Sequence, residues 1–215
     1  MSHTPRKSKG AKNPRMAHPL SEEQKVFEDL YQKFDVNFII GRAGTGKTFT
    51  AIHQSLMSFR KKEIYEIGIS RPITKNGLGF LPGDVYDKMK EWVEPIMHNI
   101  NQCQSHSTTE KMLNSNKLQI KPVDFMKGIT FIGSAVIIDE FQDLNYNDFR
   151  LVLTRLGRTS KLIFCGDPGQ VHHSVADPCF PKIEKIKHSG LVGWLELNEN
   201  RRNKCIPGIV DYLEN

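Results

Sequence analysis

Gly41-Arg42-Ala43-Gly44-Thr45-Gly46-Lys47-Thr48 is the stretch from which the rest of this chain is read. An apolar run, Val36 to Ile40, precedes it, and Phe49 to Phe59 follows with the spacing of a helix. Strand, G-x-x-x-x-G-K-[ST], helix is the context a Walker A phosphate loop requires. Glycines let successive backbone N–H groups turn toward phosphate oxygens with no Cβ intervening. The helix start adds unpaired amides and the positive end of its dipole. Gly41, Ala43, Gly44, Thr45 and Gly46 form the cradle. Lys47 is placed to reach the β- and γ-phosphates of ATP, and the Thr48 hydroxyl to ligate Mg2+.

Downstream, Ala135-Val136-Ile137-Ile138 runs into Asp139-Glu140, an apolar strand ending in two acids. A strand of this composition is buried on both faces of a parallel sheet, and ligands sit at the carboxyl ends of such strands. Asp139 is the candidate for the Mg2+ shell, and Glu140 for orienting or deprotonating an attacking water. Lys161 to Cys165 is a further buried strand leading into Gly166-Asp167-Pro168-Gly169-Gln170. Asp167 and Gln170 stand where a γ-phosphate sensor belongs, although Asp-Pro-Gly is equally good turn chemistry.

Upstream, Ser21 and Gln24 form a capping box at the start of a helix whose apolar face includes Val26, Phe27, Leu30 and Phe34. Gln24 either completes that box or reads an adenine edge, since an amide both donates and accepts. Ile64 to Ile69 reads as a strand ending at Ser70-Arg71-Pro72, before the loop Asn76 to Gly83 with its three glycines. Asp84 caps a helix carrying Val85, Met89, Trp92, Val93 and Ile96, with Trp92 read as core. Residues 99–116, polar and rich in Ser, Thr and Asn, read as a surface insertion or weak helical hairpin. Short helices are expected over 123–127 and 148–156, a last strand over 191–197, and a closing helix over 206–213.

The chain has 215 residues and a formal charge of +6, with 38% hydrophobic and 25% charged residues, a balance suited to a globular protein. Five basic residues and no acid lie in residues 1–20, so nearly all the excess charge is there. Residues 1–19 are expected to be a disordered tail, available to nucleic-acid phosphates, and 20–215 a single domain. No apolar stretch approaches the ~18 residues of a membrane span, and no apolar run follows the basic N-terminus, so a cytoplasmic protein is expected. Cys103, Cys165, Cys179 and Cys205 are too scattered for a zinc site or a disulfide framework. His172 and His173 have no other ligands at metal-binding spacing. Alternation of strands and helices predicts an α/β fold, a three-layer sandwich with a mainly parallel sheet.

Beyond the phosphate loop, Leu78-Gly-Phe-Leu-Pro-Gly-Asp84 with Arg71-Pro72, Val136 to Gln142, Leu153-Thr-Arg-Leu-Gly157 and Gly166 to Gln170 resemble the PhoH family of P-loop ATPases. That family is related to the RecA-like core of superfamily-one helicases. The resemblance covers most of residues 38–170. It implies a RecA-like P-loop ATPase of phage or bacterial type, with Gln24 as an adenine reader and Asp167 with Gln170 as the sensor. Leu197-Asn-Glu-Asn200-Arg201-Arg202 is similar to the helicase Leu-x-x-Asn-Tyr-Arg stretch, which makes Arg202 the candidate arginine finger. Arg201 stands where helicases carry an aromatic residue, so the choice between the two arginines stays open. The residues after Gln170 are too few for a second RecA-like domain. The resemblance therefore implies an oligomeric ring, commonly a hexamer, in which a neighbour completes the site, with RNA or single-stranded DNA as the object of turnover. A nucleotide-binding switch with little turnover is the alternative. A metabolite kinase is disfavoured by Glu140 directly after Asp139.

Overall fold

The computed structural model describes residues 19–73, 85–126, 128–172, 175–201, 205, 208 and 212, with the side chains of 85–89 and 91 excepted. The loop 76–83, residues 1–18 of the tail, His173, Arg202 and most of the expected closing helix lie outside the described residues.

Among the described residues six strands form one sheet in the order β3-β2-β4-β5-β1-β6, every neighbouring pair parallel. They are β1 (Val36–Gly41), β2 (Glu66–Ser70), β3 (Leu118–Ile120), β4 (Ser134–Asp139), β5 (Lys161–Gly166) and β6 (Gly193–Leu197). The helices are α1 (Glu22–Lys33), α2 (Lys47–Arg60), α3 (Val85–Cys103), α4 (His106–Asn114), α5 (Val123–Met126), α6 (Tyr146–Leu153) and α7 (Phe180–Ile183).

Because strand side chains alternate between faces, the sheet feeds two cores. Ile39, Ile67, Ile69, Ile137, Ile163 and Leu195 pack with Phe27 and Tyr31 of α1, Ile52 and Leu56 of α2, and Ile96 and Ile100 of α3. Phe38, Val136, Ile138, Leu162 and Phe164 face the other way, toward Met126, Phe149, Val152 and Ile183. There Phe38 and Phe164 stack at 5.1 Å, with Phe141 edge-on to Phe164 at 5.7 Å. Helices thus cover both faces, and the three-layer α/β architecture expected from the sequence is the one observed.

Of the two readings of residues 99–116, a surface insertion or a helical hairpin, the structure shows the hairpin, and it is packed into the core. The α3 helix runs through Cys103, and after a Ser105 cap α4 turns back with Met112 and Thr109 buried. Ile100, Cys103 and Met112 belong to the first core. The polar residues that suggested a surface segment are the outer faces and caps of an αα-hairpin, which delivers β3 to the sheet edge. The β3 strand had no sequence signal of its own: three residues, Leu-Gln-Ile, are too short for an alternating pattern to stand out. Trp92 is half-buried against the same core, as its helical spacing implied.

Parallel strands leave all their carboxyl ends on one side. The described residues that follow β1, β2, β4, β5 and β6 therefore lie on that side, and the chemistry-bearing motifs meet there.

A candidate nucleotide site at the carboxyl ends of the strands

The chain leaves β1 at Gly41 and enters α2 at Lys47, so the whole Gly-rich segment is the strand-to-helix turn. Gly46, the N-cap of α2, has φ +85°, a left-handed conformation natural to glycine. A Cβ there would collide with the Gln24 amide. Inside the loop the Thr45 hydroxyl donates to the Arg42 carbonyl at 2.9 Å. The Lys47 ammonium, nearly buried, donates to the Gly41 and Arg42 carbonyls at 2.7 and 3.2 Å. The loop is thereby folded around its own lysine.

Thr48, one residue on, donates its hydroxyl to Asp139 Oδ1 at 2.6 Å, joining α2 to the end of β4. The Asp139 carboxyl is pushed above its ordinary range, first by burial and next by the neighbouring Glu140 charge; Arg71, the Thr48 hydrogen bond and Lys47 pull it back. A buried carboxylate and a hydroxyl in contact at a helix N-terminus are hard oxygen donors. They fit Mg2+, which takes one or two carboxylates together with phosphate oxygens and water.

Glu140 has φ +52°, a left-handed residue ending the strand. Such backbone costs of order 1–3 kcal/mol in a non-glycine residue and persists only where the surroundings determine it. Two donors hold its side chain. Arg71 Nη2, from the first residue past β2, lies 3.0 Å from Oε1 and 3.6 Å from Asp139 Oδ2. Gln142 Nε2 donates to Oε2 at 2.8 Å. Gln142 is itself buried, and its Oε1 accepts from the Asp167 backbone N–H at 3.1 Å. The acid after β4 and the loop after β5 are therefore connected through one amide side chain.

In that β5 loop the Asp167 carboxylate caps a 3₁₀ turn by accepting from the Gly169 N–H at 3.0 Å. The turn role of this residue is thus realised, while Gln170 stands exposed at the same strand end. Asp143, whose carboxyl is raised by burial, accepts from the His172 N–H at 2.9 Å and ties down the next stretch of chain.

Gln24 closes the capping box of α1, accepting from the Ser21 N–H at 3.0 Å, and its Nε2 donates to the Thr45 carbonyl at 3.4 Å. Both ends of its amide are engaged, so it supports the floor of the phosphate loop. The segment after β6 covers the other side: Asn200 Nδ2 donates to the Ala43 carbonyl at 3.1 Å and the Arg201 N–H to the Gly44 carbonyl at 2.8 Å. The Arg201 guanidinium meets Glu199 and the Pro19 carbonyl, each at 3.3 Å. Its main chain, then, is what reaches the loop. Glu23 of α1 accepts from the N–H groups of Asn198 and Glu199 and locks this segment in place.

Lys47, Thr48, Asp139 and Glu140 come together as their motifs implied. Arg71, Gln142 and Asn200 join them without having been singled out. The spacing Asp139-Glu140-x-Gln142 was the available signal for Gln142. For Arg71 the sequence offered its place at the end of an expected strand and its Arg71-Pro72 share in the family resemblance, neither of which gave it a role.

A family profile described as PhoH-like protein matches residues 16–212. A PhoH-like protein of Bacillus subtilis (strain 168) is 33% identical over 150 residues, 69% of this chain and 47% of that protein. Protein PhoH2 of the same organism is 30% identical over 208 residues, covering 91% of this chain and 47% of its own length. The chain thus spans about half the length of the curated relatives it matches. Among solved structures, the large terminase from a thermophilic bacteriophage superposes with a TM-score of 0.55 at 13% identity, over 90% of this chain and 50% of that one. At that identity the likeness is one of fold. The Pif1 helicase from Candida albicans aligns over 92% of this chain with a TM-score of 0.47.

Proposed function

The chain belongs to the family of PhoH-like proteins, and from that premise and the site geometry we propose that it binds ATP with Mg2+ and hydrolyses it. The observation that carries the reading is the 2.6 Å contact of Thr48 with Asp139, with Glu140 next in the chain. It supports phosphate, metal and water chemistry within one small volume.

On binding, the phosphates draw the Lys47 ammonium from the Gly41 and Arg42 carbonyls, and the amides at the start of α2 add their dipole. Thr48 and Asp139 would hold Mg2+, which supplies neutralisation of phosphate charge. Glu140 orients the attacking water and takes its proton, and Gln142 fixes the angle of that carboxylate. Gln170 reports on the γ-phosphate from the end of β5. Arg202, or Arg201, stabilises the transition state from a neighbouring subunit of a ring, with a hexamer as the expected form. Gln24 reads adenine by exchanging its Thr45 contact. RNA or single-stranded DNA is the expected partner of turnover and the cytoplasm the expected location, and no helix among the described residues is long and apolar enough to cross a membrane.

One observation favours the second reading, a switch with little turnover: both Glu140 oxygens are held by protein donors. Steady-state ATP hydrolysis by the full chain, with and without single-stranded RNA, separates the two. The ATPase reading expects turnover that Glu140→Gln abolishes while still binding ATP, and binding that Lys47→Ala weakens. ATP bound but not hydrolysed by the unaltered protein would hand the site to the switch.

A further inference from the structure

We propose that Arg71 is a phosphate-responsive clamp on Glu140, a role that rests on the ATPase reading of the site. Its guanidinium lies 3.0 Å from Glu140 Oε1 and 3.6 Å from Asp139 Oδ2. When a phosphate arrives, the guanidinium transfers to it and leaves the carboxylate to water.

Three observations carry this. First, Glu140 is held from both sides, by Arg71 on one oxygen and Gln142 on the other. A carboxylate so held presents its best acceptor positions to the protein instead of to a water molecule, so turnover requires one donor to let go. Second, the two donors differ in freedom. Gln142 is 2% exposed and anchored at its far end by the Asp167 N–H. Arg71 has a side chain 25% exposed and lies just beyond β2, so it is the one able to leave. Third, the guanidinium is incompletely satisfied where it stands. Its Nε is buried with no hydrogen-bond partner among the described residues, and so is the hydroxyl of the adjacent Ser70. A planar, permanently charged fork matches a phosphate better than a shared corner of two carboxylates. Asp139 bridges Arg71 to Thr48, so the clamp stands one carboxylate away from the phosphate position.

The phosphate is either the γ-phosphate of ATP or the backbone of a single-stranded nucleic acid, and the same three proteins tell them apart. The unaltered chain, Arg71→Ala and Arg71→Lys are titrated with ATPγS and with ADP, and hydrolysis is followed with and without oligo(U) RNA. If the γ-phosphate releases the clamp, Arg71→Ala loses about tenfold of its preference for ATPγS over ADP, the scale of one charge-assisted hydrogen bond. Its kcat falls, its response to RNA is unaltered, and Arg71→Lys recovers part of the preference. If nucleic acid releases it, Arg71→Ala keeps the nucleotide preference, hydrolyses several-fold faster without RNA, and is no longer stimulated by RNA.

An Arg71→Ala protein with the same nucleotide preference and the same response to RNA as the unaltered chain overturns the clamp. So does parallel loss of ATPγS and ADP binding in both variants, which marks Arg71 as a structural prop. If the unaltered chain binds ATPγS yet hydrolyses nothing, the ATPase reading falls separately. With no turnover to stimulate, release by nucleic acid falls with that reading; the nucleotide preference then decides release by the γ-phosphate, and an unchanged preference in Arg71→Ala removes the clamp too.

Discussion

Replacing Gln142 with leucine keeps the side-chain volume and removes the amide through which Glu140 and the β5 loop are joined. Two hydrogen bonds go: the one to Glu140 Oε2 at 2.8 Å and the one from the Asp167 N–H at 3.1 Å. The second leaves a donor stranded in a residue only 5% exposed. An orphaned buried donor costs about 1–3 kcal/mol. With a chain of this size losing about 2–4 °C per kcal/mol, the melting midpoint should fall by roughly 4–8 °C for a loss near 2 kcal/mol. Function should suffer beyond stability. Glu140 sits in a left-handed backbone at φ +52° that its surroundings must enforce, and without Gln142 its carboxylate keeps only Arg71. A misplacement of about 1 Å in a catalytic group costs on the order of a hundredfold, so a drop in kcat of roughly tenfold or more is expected with ATP affinity little altered. Thermal unfolding, ATP titration and steady-state hydrolysis of the same preparation read all three quantities. A midpoint that falls while kcat holds would show that Gln142 staples the β5 loop without directing Glu140. An unchanged midpoint and kcat would refute the bridge altogether.

Gly46→Ala forces a left-handed alanine, worth about 1–2 kcal/mol, and drives its Cβ into the Gln24 amide. It should lower the melting midpoint by several degrees and weaken ADP binding more than tenfold by titration; an alanine variant that binds ADP normally would mean the loop does not need this backbone. Tyr31 is buried, and burial pushes its phenol up to about 12. Because the folded pKa lies above the unfolded value of 10, this group's contribution is fully present below pH 10 and lost as pH rises toward 12. Tyr31→Phe should therefore match or slightly exceed the unaltered protein's stability at neutral pH in urea and lose stability less steeply above pH 10. An equal slope in both would place the alkaline transition elsewhere, for instance on the Cys103 and Cys179 thiols, also raised to about 12 by burial.

The sheet was legible because its strands carry their burial in their composition: Ala135 to Ile138 and Leu162 to Cys165 are apolar at every position, as a strand covered on both faces requires. The phosphate loop and the two acids were legible because their chemistry tolerates few alternatives. What escaped was of two kinds. The β3 strand, three residues with one buried, borrows its existence from β2 beside it and has no periodicity to detect. Over 99–116 the choice between an insertion and a helical hairpin stayed open, and the hairpin's packing into the core was missed, since Ser105 and Thr108 at a helix start look the same in sequence as the same residues in a loop. The site divided along the same line. Lys47 and Glu140 are recognisable from neighbours in the chain, whereas Arg71 acts on a carboxylate 69 residues away. Such a pairing exists only once β2 and β4 lie side by side.

On the proposed function, nucleotide binding at this site would be an exchange. Lys47 is bonded to two loop carbonyls, Thr48 to Asp139, Glu140 to Arg71 and Gln142, and Gln24 to Thr45. A nucleotide would then gain only the difference between the contacts it makes and those it displaces, while the chemical groups stay placed. The exchanges also differ in kind. Those at Lys47 and Thr48 free a group for the phosphates and a group for the metal that accompanies them, so every nucleoside triphosphate should drive them. The exchange at Glu140 frees a group that binds water, and it needs an acceptor for Arg71. On that reading binding and turnover depend on different contacts in one small site, and a substitution at Arg71 or Gln142 should separate them where one at Lys47 should not.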